Sequence, residues 1–310
     1  MSASANPESV LAEAAVGVAP ARFGDYLELT KPRLSFLSVL TTLVGYAAVR
    51  PGWHPQEFGF LVAGTCACAG GVAAVNQLME RDTDARMART ADRPIPTGKI
   101  APGSAFIVGW GLCALGLGLL FAGVNGLAAS FALATIVSYL ALYTPAKRVS
   151  RWSTELGAVA GALPPLIGWA AAEGGVVRVG VLGWILFGIM LTWQIPHFMA
   201  VAWTYRHDYA AVKFPMLPVR DPDGSRVARW SLLNTIALVT LCLLPYWLGL
   251  AGVIYAGVTA LLGLWFLVRA VAFTRPATRD VQARKLFFTS IFWLPLQLGM
   301  LVLDRLVLTP

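Results

Sequence analysis

The chain has 310 residues, 57% of them hydrophobic and only 13% charged, with a mean hydropathy of +0.66 and a formal charge of +8. Soluble domains average roughly 25% charged residues, so an ordinary soluble fold is excluded and a membrane protein is expected. The basic surplus would suit nucleic acid, but its distribution follows membrane topology, and no nucleic-acid partner is expected.

Residues 1–21 lack a basic leader and carry Glu8 and Glu13, which argues for a mobile Ala-rich tail rather than a cleaved signal peptide. The remainder, 22–310, reads as a single transmembrane domain. Apolar segments long enough for a bilayer core of about 30 Å recur at 33–49, 57–79, 103–123, 126–145, 153–171, 179–203, 230–249, 251–271 and 286–304. The expected fold is all-α and polytopic, with about nine transmembrane helices. Very short connections make spans three and four, and seven and eight, antiparallel hairpins. With the N-terminus and alternate loops on one side, every Lys and Arg except Arg50, Arg178 and Arg305 falls on that side. The positive-inside rule then puts the N-terminus in the cytoplasm and the C-terminus outside the cell membrane.

Polar chemistry gathers in two long cytoplasmic loops, 80–102 and 204–229. Each begins at a charged helix end and finishes in a Pro-rich turn, Arg93-Pro94-Ile-Pro96 and Phe214-Pro215-Met-Leu-Pro218. The shared layout suggests a pseudo-repeat, with breaks at Arg93 and Phe214 because proline disfavours helix in its predecessor. In the first loop Asn76, Glu80 and Asp84 recur every four residues and so share one helix face. Oxygen ligands on one face with arginines following suit a hard cation carrying phosphates. Mg²⁺ is the expected ion, because it bridges carboxylate and phosphate oxygens while keeping several waters. The competing reading is a solvated helix end, which has no need of that spacing, nor of Arg89 and Arg93 one and two turns further on.

A second cluster runs from Trp193-Gln194-Ile-Pro196-His197 to Asp208-Tyr209. His197 sits inside a span beside a kinking proline, and an intramembrane histidine is a functional candidate by default; hydrogen bonding across helices is the alternative. Asp208 and Lys213 are placed to complete the ion and phosphate site. A third is Tyr139 to Lys147-Arg148; these two cations, like Lys31 and Arg33 before the first span, divide evenly between diphosphate binding and topology. Gly157 and Gly161 read as close helix packing before a ligand wall. Cys66, Cys68, Cys113 and Cys242 lie within spans and read as small packing residues. Trp110, Trp152, Trp184 and Trp230, near span ends, read as an interfacial belt.

From Lys31 to about Asp304 the chain resembles the UbiA superfamily of intramembrane prenyltransferases, most closely its haem-farnesylating branch, the haem O synthases. The resemblance rests on Asn76-x-x-x-Glu80-x-x-x-Asp84, on the tail Met87-x-Arg89-Thr90-x-x-Arg93-Pro94, on Tyr143-Thr144 and Lys147-Arg148, on Gly161 to Pro165, on Pro196-His197-Phe198, and on Asp208-Tyr209 to Pro218. Glu80 departs from it, standing where the family usually has Asp. So do Ala146, in place of a common Leu, and Ser153, where Asn is frequent. The resemblance implies transfer of farnesyl from farnesyl diphosphate to a vinyl group of haem b, giving haem O for haem-copper oxidase biogenesis. Asn76, Glu80, Asp84 and Asp208 would hold Mg²⁺. Arg89, Arg93, Lys147, Arg148, Lys213 and Lys31 would bind diphosphate, and His197 with Gln194 would contact haem. A haem A synthase or an oxidase assembly factor is the implied partner. The alternatives are a related prenyltransferase acting on an aromatic quinone precursor or chlorophyllide, and a transporter, which should show charged or broken helices near mid-membrane.

Overall fold

A computed structural model of the chain describes residues 21–49, 52, 54–174 and 179–308. The expected tail, all but Ala21, and two of the three outer cations, Arg50 and Arg178, lie outside the described residues. A short helix α1 (Phe23–Leu29) leads into α2 (Pro32–Val49), α3 (Pro55–Asp84) and α4 (Pro102–Gly123). Then α5 (Gly126–Val137) continues through a π-helical stretch, Ser138–Tyr143, into α6 (Thr144–Val149). After α7 (Ser153–Ala162) and α8 (Pro164–Ala172) come α9 (Val181–Thr204) and two short loop helices, α10 (Arg206–Ala211) and α11 (Leu217–Arg220). The chain closes with α12 (Ser225–Trp247), α13 (Val253–Phe273) and α14 (Arg279–Leu303). Among the described residues nine helical stretches are long and apolar enough to cross a membrane, and none is a strand.

Local chemistry sets the boundaries. Proline opens α2, α3 and α4, where its missing N–H costs nothing. Asn125 starts α5 by accepting from Ala128 N at 2.8 Å. Asp221 starts α12 by accepting from the amides of Arg226 and Val227 at 2.8 and 2.9 Å. The last span starts seven residues early, at Arg279, and α3 ends five residues late. The latter runs on past the apolar stretch through Asp84, because Glu80 and Asp84 find partners inside the protein and the helix need not end at the lipid boundary.

Small residues let the spans approach closely. A Cβ on Gly71 would sit 2.6 Å from the Gly109 carbonyl, and one on Gly116 would sit 2.6 Å from that of Gly64, so α3 and α4 touch backbone to backbone. The α2–α8 crossing is tighter, with Gly45 against the Pro165 carbonyl and Gly168 against that of Thr42. Gly168→Ala should therefore lower the thermal midpoint in detergent, by an amount at or above the ~1–3 kcal/mol usual for overpacking. Gly257→Ala, with open space around it, should leave that midpoint unmoved.

Two large apolar cores result, beside smaller clusters. One joins α3, α4, α5 and α8; the other joins α9 with α12, α13 and α14. Gly157 packs on the Tyr143 ring and Gly161 on Gln194, as the close-packing reading expects. Trp152 and Trp184 are exposed at helix ends and Trp110 is exposed further along α4, whereas Trp169, Trp193, Trp203 and Trp293 are buried in the second core. Cys68 packs inside, but Cys66 faces outward and so is not a buried packing residue.

Candidate active site

The i, i+4, i+8 residues of α3 form a buried polar stripe, with Asn76 1%, Glu80 7% and Asp84 1% exposed. Each meets a different cation delivered by a different segment. Lys31 Nζ, between α1 and α2, donates to Asn76 Oδ1 at 2.9 Å. Lys147 Nζ of α6 donates to Glu80 Oε1 at 2.7 Å, and Arg93 of the first loop donates to Asp84 Oδ2 at 2.6 Å. Asn76 is oriented from its other end, where its amide donates to Thr144 Oγ1 at 3.2 Å. Thr90 closes the turn after α3 by donating to the Asp84 carbonyl at 2.9 Å, which brings Arg93 back over the helix end.

This arrangement is costly to hold without a ligand. Lys31 adopts φ +48°, a left-handed conformation rare outside glycine, directly before Pro32. Burial, with Arg93 and Lys147 nearby, pushes its ammonium down to about 7. Asp84 Oδ1 is buried with no hydrogen-bond partner among the described residues. A site with crowded cations and an orphaned carboxylate oxygen has places for both halves of a metal–diphosphate: an anion for the cations, a divalent ion for the acids. The donor set of two carboxylates and one amide oxygen suits Mg²⁺.

The two long loops meet over this site. Met87 packs with Val212, Phe214 and Met216 in one apolar cluster, and Arg89 lies 5.2 Å from the Tyr205 ring centroid and 3.5 Å from the Tyr209 hydroxyl. Several expected members stand apart. Among the described residues no group of three or more His, Cys, Asp and Glu is close enough to share a metal, so Asp208 does not join Glu80 and Asp84. Lys213 is exposed, at φ +58°, and reaches none of the three acceptors. Arg148 is spent on the Met79 carbonyl at 2.8 Å on the exposed side.

Beside Lys31 an apolar cavity opens between α2, α3, α5 and α7, lined by Ser38, Thr65, Ala69, Val72, Tyr139 and Pro164 among others. From Asn76 to Thr65 α3 spans eleven residues, about 16 Å at 1.5 Å each. His197 lies elsewhere, on α9, stacked against Trp193 at 4.9 Å and tilted against Phe287 at 5.2 Å. Its Nδ1 is 2.8 Å from Ser290 Oγ, and that hydroxyl donates its one proton to the Phe287 carbonyl at 2.6 Å. Ser290 must then accept, so Nδ1 carries the proton and Nε2 keeps its lone pair. Gln194, expected at the haem, is instead a brace. Its amide donates to the Ala158 and Met190 carbonyls at 3.1 and 2.9 Å, tying α9 to α7.

Thr144, Tyr205 and Tyr209 lie inside the sequence motifs but had no role of their own there, and Ser290 lies outside them all. Thr144 directly follows the π-helical stretch, three residues before Lys147. Ser290 carried no signal beyond being a hydroxyl inside a span.

The model of the UbiA prenyltransferase family matches residues 38–292. The chain is 65% identical over 288 residues to the protoheme IX farnesyltransferase of Opitutus terrae, covering 93% of this chain and 97% of that one. It is 43% identical over 291 residues to the protein of that name from Solibacter usitatus, covering 91% and 98%. Among solved structures, a digeranylgeranylglyceryl phosphate synthase superposes with a TM-score of 0.77 at 17% identity, covering 91% of this chain and 98% of that one. A UbiA homologue from Archaeoglobus fulgidus bound to GPP and Mg²⁺ gives 0.60 at 15% identity, covering 89% and 99%. The helical bundle, the acid–cation stripe on α3 and the sequence similarity along nearly the whole chain agree: this protein belongs to the UbiA prenyltransferase family.

Proposed function

We propose that the chain transfers a farnesyl group from farnesyl diphosphate to a vinyl group of haem b. The observation that carries this reading is the pairing of Asn76, Glu80 and Asp84 with three separate cations beside an apolar cavity. Relatives at 65% and 43% identity bear the name of that activity, and the A. fulgidus homologue holds a prenyl diphosphate with Mg²⁺.

Asn76, Glu80 and Asp84 would hold Mg²⁺, which supplies positive charge against the diphosphate oxygens. Lys31, Arg93 and Lys147 then exchange their present partners for the diphosphate, with Arg89 closing from the loop above. As the C–O bond of the allylic diphosphate breaks, negative charge grows on the leaving group where these cations already stand. Preorganised donors of this kind contribute about 10²–10³ in rate each. The apolar cavity below excludes water from the allylic cation, which the terminal vinyl carbon of haem attacks. Water then adds to the carbon next to the ring and loses a proton, giving the hydroxyfarnesyl product. His197 presents Nε2 as a ligand for the haem iron, an atom imidazole suits. The membrane orientation follows the charge: the loops that carry the site face the cytoplasm, and the C-terminus lies outside.

Two variants test the two-substrate division. Ala69→Phe fills the cavity midway, and overpacking of ~1–3 kcal/mol should raise KM for farnesyl diphosphate about tenfold or more. Geranyl diphosphate, one isoprene shorter, should be less affected. His197→Ala should weaken haem binding and abolish the Soret shift of the bound haem, leaving KM for farnesyl diphosphate unchanged. If either variant moves both substrates equally, the division is wrong.

A further inference from the structure

Three further guanidinium groups meet away from the α3 stripe, at a pocket between α7 and the first turns of α12. Arg151, Arg226 and Arg229 line it with Trp152, Trp230 and Glu155. Among the described residues no carboxylate lies within 4.0 Å of any of the three arginines. The two indoles pack edge to face at 6.3 Å, and Trp230 Nε1 donates to Glu155 Oε1 at 2.8 Å. The other oxygen, Glu155 Oε2, is buried with no hydrogen-bond partner among the described residues. Arg151 follows Lys147 by four residues, so the pocket lies at the same cation-rich end of the bundle as the α3 stripe. Below it on α12, Leu233 and Ile236 are 58% and 48% exposed, a bare apolar track leading along the span from Arg229 and Trp230.

Arg229 Nε donates to the Ser225 carbonyl at 3.2 Å and Arg151 lies 4.9 Å over the Trp152 ring, so the cations have protein contacts but no acid partner among the described residues. Cations without an acid partner over a paired-indole wall, with an apolar track beneath, describe an amphiphile: anionic head, aliphatic tail. Basic pockets between transmembrane helices are where anionic headgroups bind, and interfacial tryptophans fix the depth at which they do so. The orphaned Glu155 oxygen adds a requirement, because it needs a hydrogen donor from the same headgroup. Phosphate alone does not supply one; a glycerol hydroxyl does.

We propose that this pocket binds an anionic phospholipid whose headgroup carries both a phosphate and a hydroxyl. The phosphate sits on Arg151, Arg226 and Arg229, the hydroxyl donates to Glu155 Oε2, and one acyl chain follows Leu233 and Ile236. The inference stands independently of the haem reading.

The test uses the full chain in nanodiscs and reads tryptophan fluorescence as brominated lipid replaces unlabelled lipid. Brominated phosphatidylglycerol should reach half of its quenching at about a tenfold lower mole fraction than brominated phosphatidylcholine. That advantage should shrink as salt is raised. In Arg226→Gln/Arg229→Gln it should disappear, while prenyl transfer is retained, since neither residue touches the α3 site. Trp152→Phe/Trp230→Phe should remove the lipid-selective part of the quenching. Equal quenching by both lipids in the unaltered protein would overturn the proposal, as would a salt-insensitive advantage or one that survives loss of both arginines. Equal preference for phosphatidylethanolamine would overturn it too, by showing that negative charge is not what the pocket selects.

Discussion

Asp84→Asn should lower turnover by about 10²–10³ while leaving the protein folded. Asp84 is 1% exposed, and one of its carboxylate oxygens already receives Arg93 at 2.6 Å. The asparagine oxygen can still accept from that guanidinium, so the fold loses charge compensation but not its hydrogen bond. What it loses chemically is the charge that would bind Mg²⁺, together with the second, unpartnered oxygen. Interactions that act on developing leaving-group charge contribute a few kcal/mol each, which is the size of the expected loss. Glu80→Gln should behave alike. Raising Mg²⁺ should partly restore turnover in both variants, because the defect is weakened metal affinity. The measurement is kcat against Mg²⁺ concentration, with the thermal midpoint recorded alongside. A variant that loses activity only in proportion to its loss of folded protein would remove Asp84 from the site.

Lys147→Met carries a second large effect, and it separates stability from catalysis. Lys147 and Glu80 are both largely buried, at 16% and 9% side-chain exposure, and the ammonium also lies 4.5 Å from the Tyr143 ring centroid. Removing one partner strands a buried charge, at a cost of about 3–5 kcal/mol. The single variant should therefore be both unstable and inactive. Lys147→Met/Glu80→Gln removes both charges, and the stranded carboxylate with them, so most of the stability should return. Turnover should not, because both a diphosphate cation and a metal ligand are gone. Recovery of turnover with stability would show that the pair is structural only.

How far the sequence foretold this site depends on how local each feature is. The stripe of Asn76, Glu80 and Asp84 is legible because helical periodicity alone puts these three on one face. Which cation each one meets is not, because Lys31, Arg93 and Lys147 arrive from α2's approach, the first loop and α6. Lys147 and Arg148 are adjacent and chemically alike, yet one turns inward to Glu80 and the other outward to the Met79 carbonyl. That choice belongs to the packing of the π-helical stretch before them. Gln194 misled for a physical reason. A polar side chain inside a span must be satisfied, and here two backbone carbonyls do so across the gap left by Gly161. Glu80, the departure from the family's usual aspartate, contacts Lys147 directly at 2.7 Å, a pairing that sequence alone does not reveal. Asp208 and Lys213 looked symmetric with the first loop on sequence layout. The loop packing instead engages that segment through Tyr209, Phe214 and Met216.

The most direct measurement supplies purified protein with farnesyl diphosphate, haem b and Mg²⁺, and follows diphosphate release together with the mass of the haem product. The expected result is one diphosphate released per farnesylated haem formed, with both signals absent when haem or Mg²⁺ is withheld. Diphosphate release that ignores haem and responds to a phenolic acceptor would contradict the account.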